Sequence, residues 1–241
     1  MLAPKQQQEI PSPGLSTGDG KSLSGRVYNH LRDQLERGNI RYGDKLNIKR
    51  IAAQLGVSSM PIRDAIKRLE QEHIVVVNPR SHCFVRVPTK QDILDAVDAR
   101  RMIEHFALST YISHVRLSAL TGLDAIIDSM RSVTERDCEG RVPECLREYI
   151  ELDRRFHQEL CELSGNDYVI RFYHIVNMHL SMSFSYGMGV CHGIEATFAE
   201  HEAIVKYIKA HSKEALGVLD DHLMRSRRNI LNEPSFVDLP N

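Results

Sequence analysis

Apolar residues recur at helical spacing along most of this chain, and the rhythm divides it in two. Ile48, Ile51, Ala52 and Leu55 stand at i, i+3, i+4 and i+7, the mark of a helix with one buried stripe. Gly56-Val57 interrupts, and Ile62, Ala65, Ile66 and Leu69 repeat the template. Two short amphipathic helices about a tight glycine turn predict a helix-turn-helix over Ile48 to Leu69. Ser58 is a suitable N-cap for the second helix, and Pro61 falls in its first turn, where a missing N–H costs little. Upstream, Leu23, Val27, Leu31 and Leu35 form another stripe, ending near Gly38 as a C′ glycine, to complete a three-helix core. Downstream, β-prone Ile74–Val77 and Cys83–Val87 flank an Asn78-Pro79 turn, which predicts a two-stranded wing.

After Thr89 the strand signals stop. Helices are expected at Gln91–His114, Ser118–Val133, Pro143–Leu163, Tyr168–Phe184, Ile194–Ala210 and Lys213–Leu231. Six helices in that length imply an antiparallel all-α bundle. The expected architecture is therefore mainly α: a leader over 1–20, a winged helix-turn-helix domain over 21–88, an all-α domain over 89–232, and a tail over 233–241. The leader carries too little apolar content to fold by itself.

Charge sharpens this division. The formal net charge is −1, but Lys21 to Pro88 holds 13 Lys+Arg against 6 Asp+Glu, while Thr89 to the end holds 17 against 24. A basic module joined to an acidic one points to a polyanion partner for the first alone. The outward face of the second helix carries Arg63, Lys67 and Arg68. Candidate DNA contacts are Lys49 and Arg50 on the first helix, Ser58, Ser59, Met60, Arg63 and Lys67 on the second, and Arg80 in the wing. The geometry expected is a helix entering the major groove tip-first while the first helix braces against phosphates. For the two helices alone, a hairpin with a solvated basic face remains the alternative; the wing beside them favours DNA. The apolar runs are too short to span a bilayer, and no signal-peptide core is visible. The five cysteines contain no C-x-x-C pair, which favours free thiols in a cytoplasmic protein.

Polar residues interrupt the buried stripes of three bundle helices. Asp153, Phe156, His157 and Leu160 are spaced i, i+3, i+4 and i+7; His201, Ile204, Val205 and Ile208 repeat the spacing, as do Leu219, His222, Leu223 and Ser226. A buried Asp or His without a partner is costly, and three such helices can satisfy one another around a cation. One carboxylate with three imidazoles suits Zn²⁺, Ni²⁺, Co²⁺, Fe²⁺ or Mn²⁺. The alternative is a set of hydrogen-bonded core residues. His201-Glu202 does not open a zinc-protease H-E-x-x-H, since position 205 is Val. On the first bundle helix, Arg100 and Glu104 interrupt the stripe Ile93, Val97, Ala107 and Tyr111. They read either as an i, i+4 ion pair or as a carboxylate clamp facing a cavity. Phe172 to Val205 contains no Lys or Arg; Asn177 in that stretch joins Arg100 and Glu104 as a candidate for binding a small polar ligand.

Residues 22 to 88 resemble the winged helix-turn-helix domain of the GntR family of bacterial transcription regulators. The matching stretches are Gly43-Asp44-Lys45-Leu46, Ile51-Ala52-x-x-Leu55-Gly56-Val57-Ser58 and Pro61-Ile62-Arg63-Asp64-Ala65-Ile66-x-x-Leu69. Ser59 stands where that family usually has Arg, and His73 and His82 stand where it has glycines. Leu152-Asp153-x-x-Phe156-His157, Leu163-Ser164-Gly165-Asn166, Glu200-His201-x-x-Ile204 and His222-Leu223 resemble the FCD effector domain of the FadR-type branch. That resemblance implies a divalent metal on Asp153, His157, His201 and His222, holding a small carboxylate effector. It also implies a homodimeric regulator, more commonly a repressor, on a near-palindromic operator. Many members of that branch supply a second cavity Arg between Phe172 and Val205, and its absence here suggests an effector less acidic than a dicarboxylate. A metal-dependent enzyme acting on a small organic acid and a purely structural metal are the competing readings.

Overall fold

A computed structural model of the chain describes residues 22–78, 82–114, 117–136, 142–185 and 194–232. The expected leader and tail, Arg80 at the wing tip and the side chain of His82 lie outside the described residues. The chain is mainly α, as its periodicity predicts, and separates into two compact units meeting between Pro88 and Thr89.

In the first unit, α1 (Leu23–Glu36), α2 (Ile48–Leu55) and α3 (Ser59–Gln71) pack through the predicted stripes. Val27, Leu31, Leu35, Ile51, Ile62, Ala65, Ile66 and Leu69 are all buried, and each fully buried aliphatic side chain contributes roughly 1.5–3 kcal/mol. Gly38 follows α1 at φ 70° and Gly56 follows α2 at φ 64°, the left-handed conformation that closes a helix. Asn47 caps α2 through Arg50 N at 3.1 Å. Ser58 precedes α3 without its side chain making a capping bond.

The wing pairs β1 (Val75–Asn78) with β2 (His82–Val85) antiparallel. Each strand is offset from its expected bounds by a residue or two. Ile74 is taken up in closing α3, its N–H bonding Leu69 O at 2.9 Å, and Arg86 continues past β2 by bonding Ile74 O at 2.8 Å. The Gly43-Asp44-Lys45-Leu46 stretch lies along the other edge of β2, with Leu46 N to Cys83 O at 2.8 Å and Val85 N to Asp44 O at 2.9 Å.

In the second unit the six expected helices appear as α4 (Lys90–Ile112), α5 (Thr121–Thr134), α6 (Val142–Glu162), α7 (Asp167–Ser185), α8 (Ile194–Lys209) and α9 (Glu214–Asn232). Leu117–Leu120 forms a separate 3₁₀ turn, so α5 begins three residues later than its periodicity suggests. Thr89 and Asp92 form a reciprocal capping box at the start of α4. The bundle core gathers Leu108, Leu123, Met130, Phe156, Leu160, Ile204 and Leu219, among others. Cys83 and Cys161 are free and buried. Cys145 instead carries a disulfide, against the expectation of free thiols throughout.

His73 takes φ 58°, where an L side chain meets its own backbone at a cost of about 1–2 kcal/mol. Its position just after α3 demands that conformation, which explains the glycine usual there. His73→Gly is therefore expected to raise the stability of the first unit by about 1 kcal/mol, read as an upward shift in its thermal or urea unfolding midpoint.

Candidate metal centre and nucleic-acid face

Asp153 and His157 come from α6 one turn apart, His201 from α8 and His222 from α9. The amphipathic spacing that buries Phe156, Ile204 and Leu219 turns these four side chains toward one point. One donor atom from each lies within 4.8 Å of all the others. His201 Nε2 stands 3.5 Å from Asp153 Oδ1, His157 Nε2 stands 3.8 Å from the same oxygen, and the Nε2 atoms of His157 and His222 are 3.1 Å apart.

Two carboxylates fix which nitrogens face inward. Glu104 Oε2 lies 2.7 Å from His157 Nδ1, and Glu200 Oε2 lies 2.7 Å from His222 Nδ1. A carboxylate accepts, so each Nδ1 holds the proton and each Nε2 presents a lone pair. Two lone pairs facing each other at 3.1 Å repel unless a proton or a cation lies between them. His201 adds to the imbalance. It is fully buried and stacked on Phe156 at 4.2 Å between centroids, with neither ring nitrogen hydrogen-bonded. Burial, then the neighbouring His222 and His157, hold its pKa well below the ordinary histidine value. Burial and the Arg100 charge lower that of His157 as well. Neutral imidazoles in a dry site are metal ligands. Donors bound to one zinc-like ion at about 2.0–2.2 Å are separated from one another by about 3–3.5 Å; the separations of 3.1, 3.5 and 3.8 Å are near that range, within a set that spans up to 4.8 Å. These residues fit a divalent cation, and carboxylate–histidine pairs of this kind orient metal ligands.

Glu104 and Arg100 belong to the same network. Both are buried, and Arg100 Nε donates to Glu104 Oε1 at 2.5 Å. Burial alone would raise the Glu104 pKa, but the Arg100 and His157 charges outweigh it and bring it to about 2. The ion pair weighed from the sequence is thus present, and Glu104 also serves His157 with its second oxygen. Arg100 Nη2 remains buried without a hydrogen bond, as does the Tyr149 hydroxyl, one turn before Asp153. Asn177 is buried on α7 and donates to Ser181 Oγ at 3.2 Å.

Glu200 escaped the sequence reading as a site residue because it orients a histidine on another helix rather than its neighbour His201. Arg225 holds it through Nε to Oε1 at 2.8 Å and Nη2 to Oε2 at 2.5 Å, and also reaches Thr197 Oγ1 at 3.0 Å. The i, i+3 spacing of His222 and Arg225 on one helix was the only local signal.

On the first unit, Lys49, Ser58, Met60, Arg63 and Lys67 are exposed, while Arg50 and Ser59 are half-buried. Arg68 is occupied elsewhere: its guanidinium lies 3.7 Å over the Tyr28 ring and its Nε donates to Glu72 at 3.3 Å.

A basic winged head followed by a helical domain with a buried histidine–carboxylate cluster defines a DNA-binding regulator with a separate helical domain. The chain belongs to the GntR family of bacterial regulatory proteins. The family model described as "Bacterial regulatory proteins, gntR family" matches residues 23–85, and the FCD domain model matches residues 95–225. The chain is 25% identical over 192 residues to the uncharacterized HTH-type transcriptional regulator YdhC of Bacillus subtilis, covering 79% of this chain and 82% of that one. It is 24% identical over 203 residues to the gluconate operon transcriptional repressor of Bacillus licheniformis, covering 79% and 77%. The solved structure of E. coli McbR/YncC shares its fold with a TM-score of 0.73, at 20% identity over 88% of this chain and 98% of that one. No described helix is long and apolar enough to cross a membrane.

Glu200→Gln keeps the shape of the side chain but removes the charge that orients His222. In the folded protein, its affinity for Zn²⁺ is expected to fall by roughly tenfold or more, measured by competition with a chromophoric chelator.

Proposed function

We propose that this regulator binds a near-palindromic duplex operator as a homodimer, and that a small carboxylate metabolite at a divalent metal in the bundle controls its affinity. The ligands are Asp153, His157, His201 and His222. The observation that carries this reading is the pair of inward-facing Nε2 atoms 3.1 Å apart beside a His201 with no hydrogen-bond partner. Three imidazoles and a carboxylate favour zinc or nickel, with manganese, cobalt or iron also accommodated. When bound, such an ion offers open coordination positions to a carboxylate oxygen.

The chain's own residues define the rest of the ligand site. Buried polar atoms without partners are rare, and Arg100 Nη2 is one of them. Its free N–H groups suit the second oxygen of a carboxylate, as a charge-assisted hydrogen bond. Glu104 holds the guanidinium in place rather than meeting the ligand. With no Lys or Arg between Phe172 and Val205, a monocarboxylate fits better than a dicarboxylate. Asn177 contributes an amide from α7.

Regulation rather than turnover fits the site. The two carboxylates nearest the cluster are engaged, Glu104 by Arg100 and His157, Glu200 by His222 and Arg225. Neither remains as a general base for hydrolysis. The sign we favour is repression, and the repressor name of the Bacillus licheniformis relative supports it. A cytoplasmic protein acting on the chromosome is the accompanying expectation. Homodimerisation is supported by exposed apolar side chains on two helices that pack together, Phe106 (51% exposed) on α4 and Phe172 (56%) on α7. Large apolar side chains left exposed on adjoining helices suit a protein interface. Two heads would then meet major-groove sites one helical turn apart.

The deciding measurement is metal content together with mass spectrometry of the small molecule that co-purifies. His157→Ala is expected to lose the ion and the ligand response while ligand-free operator binding persists; an intact response would leave the ion a structural role only. Phe106→Glu and Phe172→Glu are each expected to shift the protein toward monomer in light scattering and to weaken operator binding by tenfold or more, since two heads bind through one linkage.

A further inference from the structure

We infer that Met60 reads the 5-methyl group of a thymine in each operator half-site. The inference rests on the DNA-binding role of α3 and adds which base its tip prefers.

The outward stripe of α3 is as regular as its buried one. Met60, Arg63, Asp64 and Lys67 stand at i, i+3, i+4 and i+7, and all four are exposed. Pro61, Ile62, Ala65, Ile66 and Leu69 fill the opposite face. Met60 is 63% exposed, the most exposed large apolar side chain described in the first unit. It contributes nothing evident to the core, and in the free protein water surrounds it among charged neighbours.

The groove supplies one apolar feature to match it. Base edges in the major groove present hydrogen-bond donors and acceptors, with the thymine C5-methyl as the exception. Met60 is the second residue of α3, and a recognition helix meets base edges with its N-terminal residues. Ser58, whose hydroxyl makes no capping bond, is free to take a phosphate beside it. Asp64, one turn further along the stripe, independently indicates the stripe's target. A carboxylate facing phosphates would be repelled, whereas one facing base edges can accept from a cytosine amino group. The stripe therefore faces the groove floor, and its first apolar contact there is a methyl. An unbranched thioether side chain adapts readily to such a contact.

The test uses the full-length chain. Duplexes enriched from a random library at fixed salt give the preferred site, and each thymine in it is then replaced singly by deoxyuridine, which lacks only the methyl. Wild type is expected to lose roughly fourfold in affinity at one thymine per half-site, the value of one buried methyl-sized group. Met60→Ala, unchanged in thermal stability because the side chain is exposed, is expected to lose about the square of that factor, roughly sixteenfold, on the parent duplex, since both heads of the proposed dimer lose the contact, and nothing further on the deoxyuridine duplex. If no thymine methyl matters, or if Met60→Ala still discriminates thymine from deoxyuridine as wild type does, the inference is overturned. Enrichment of no sequence at all would instead overturn the DNA-binding reading, and this one with it.

Discussion

The second domain depends on the free energy of keeping polar side chains dry. His157, His201, His222, Arg100 and Glu104 are buried within a helical bundle that also has a large apolar core, and the partly exposed Asp153 joins them. An isolated buried charge costs several kcal/mol, so Arg100, Glu104, His157 and His222 are each hydrogen-bonded to a partner, whereas His201 is not. Glu104 joins α4 to α6 through His157, and Glu200 joins α8 to α9 through His222 and Arg225. The hydrogen bonds that orient the cluster are therefore also the polar contacts that hold four helices in register. Removing one partner would leave the other buried and unmatched, which is why the network specifies an arrangement more sharply than packing alone.

That arrangement bears on signalling through chain connectivity. α4 starts two residues beyond Pro88, the last residue of the winged unit. It carries Arg100 and Glu104, and it is laced to α9 by Arg101 with Asp220 and by Arg227 Nε with Asp98 Oδ1 at 2.9 Å. His222 lies on α9 between those two pairs. Under the proposed function, a ligand that repositions Arg100 or His222 would act on α4, the helix that follows the winged unit in the chain. Coupling of this kind requires only that the ligand favour one of two helix arrangements over the other.

The winged domain shows the opposite economy. Its core is mainly apolar, three of its glycines (Gly38, Gly43 and Gly56) fall where φ is positive, and its outward helical face is left to the partner. One residue breaks that economy. His73 accepts a left-handed backbone that glycine would adopt without strain, and the flanking hydrogen bonds from His73 N to Glu70 O and Ile74 N to Leu69 O hold it there.

By itself the sequence determined much of this protein. The 3.6-residue spacing located every helix to within a few residues, because burial of one face is a local property of the chain. The same spacing turned Asp153, His157, His201 and His222 inward, since a residue between two core positions on a helix has nowhere else to point. Tertiary structure decided what those residues meet. Glu104 reads equally well as a clamp or as an ion-pair partner until α6 brings His157 within 2.7 Å of it. Glu200 sits beside His201 in sequence yet orients His222, and the inward tautomer of His222 follows from that crossing. Periodicity along one helix cannot encode distance to another. Which polar atoms are satisfied, and which are left for a ligand, is fixed only when the helices pack.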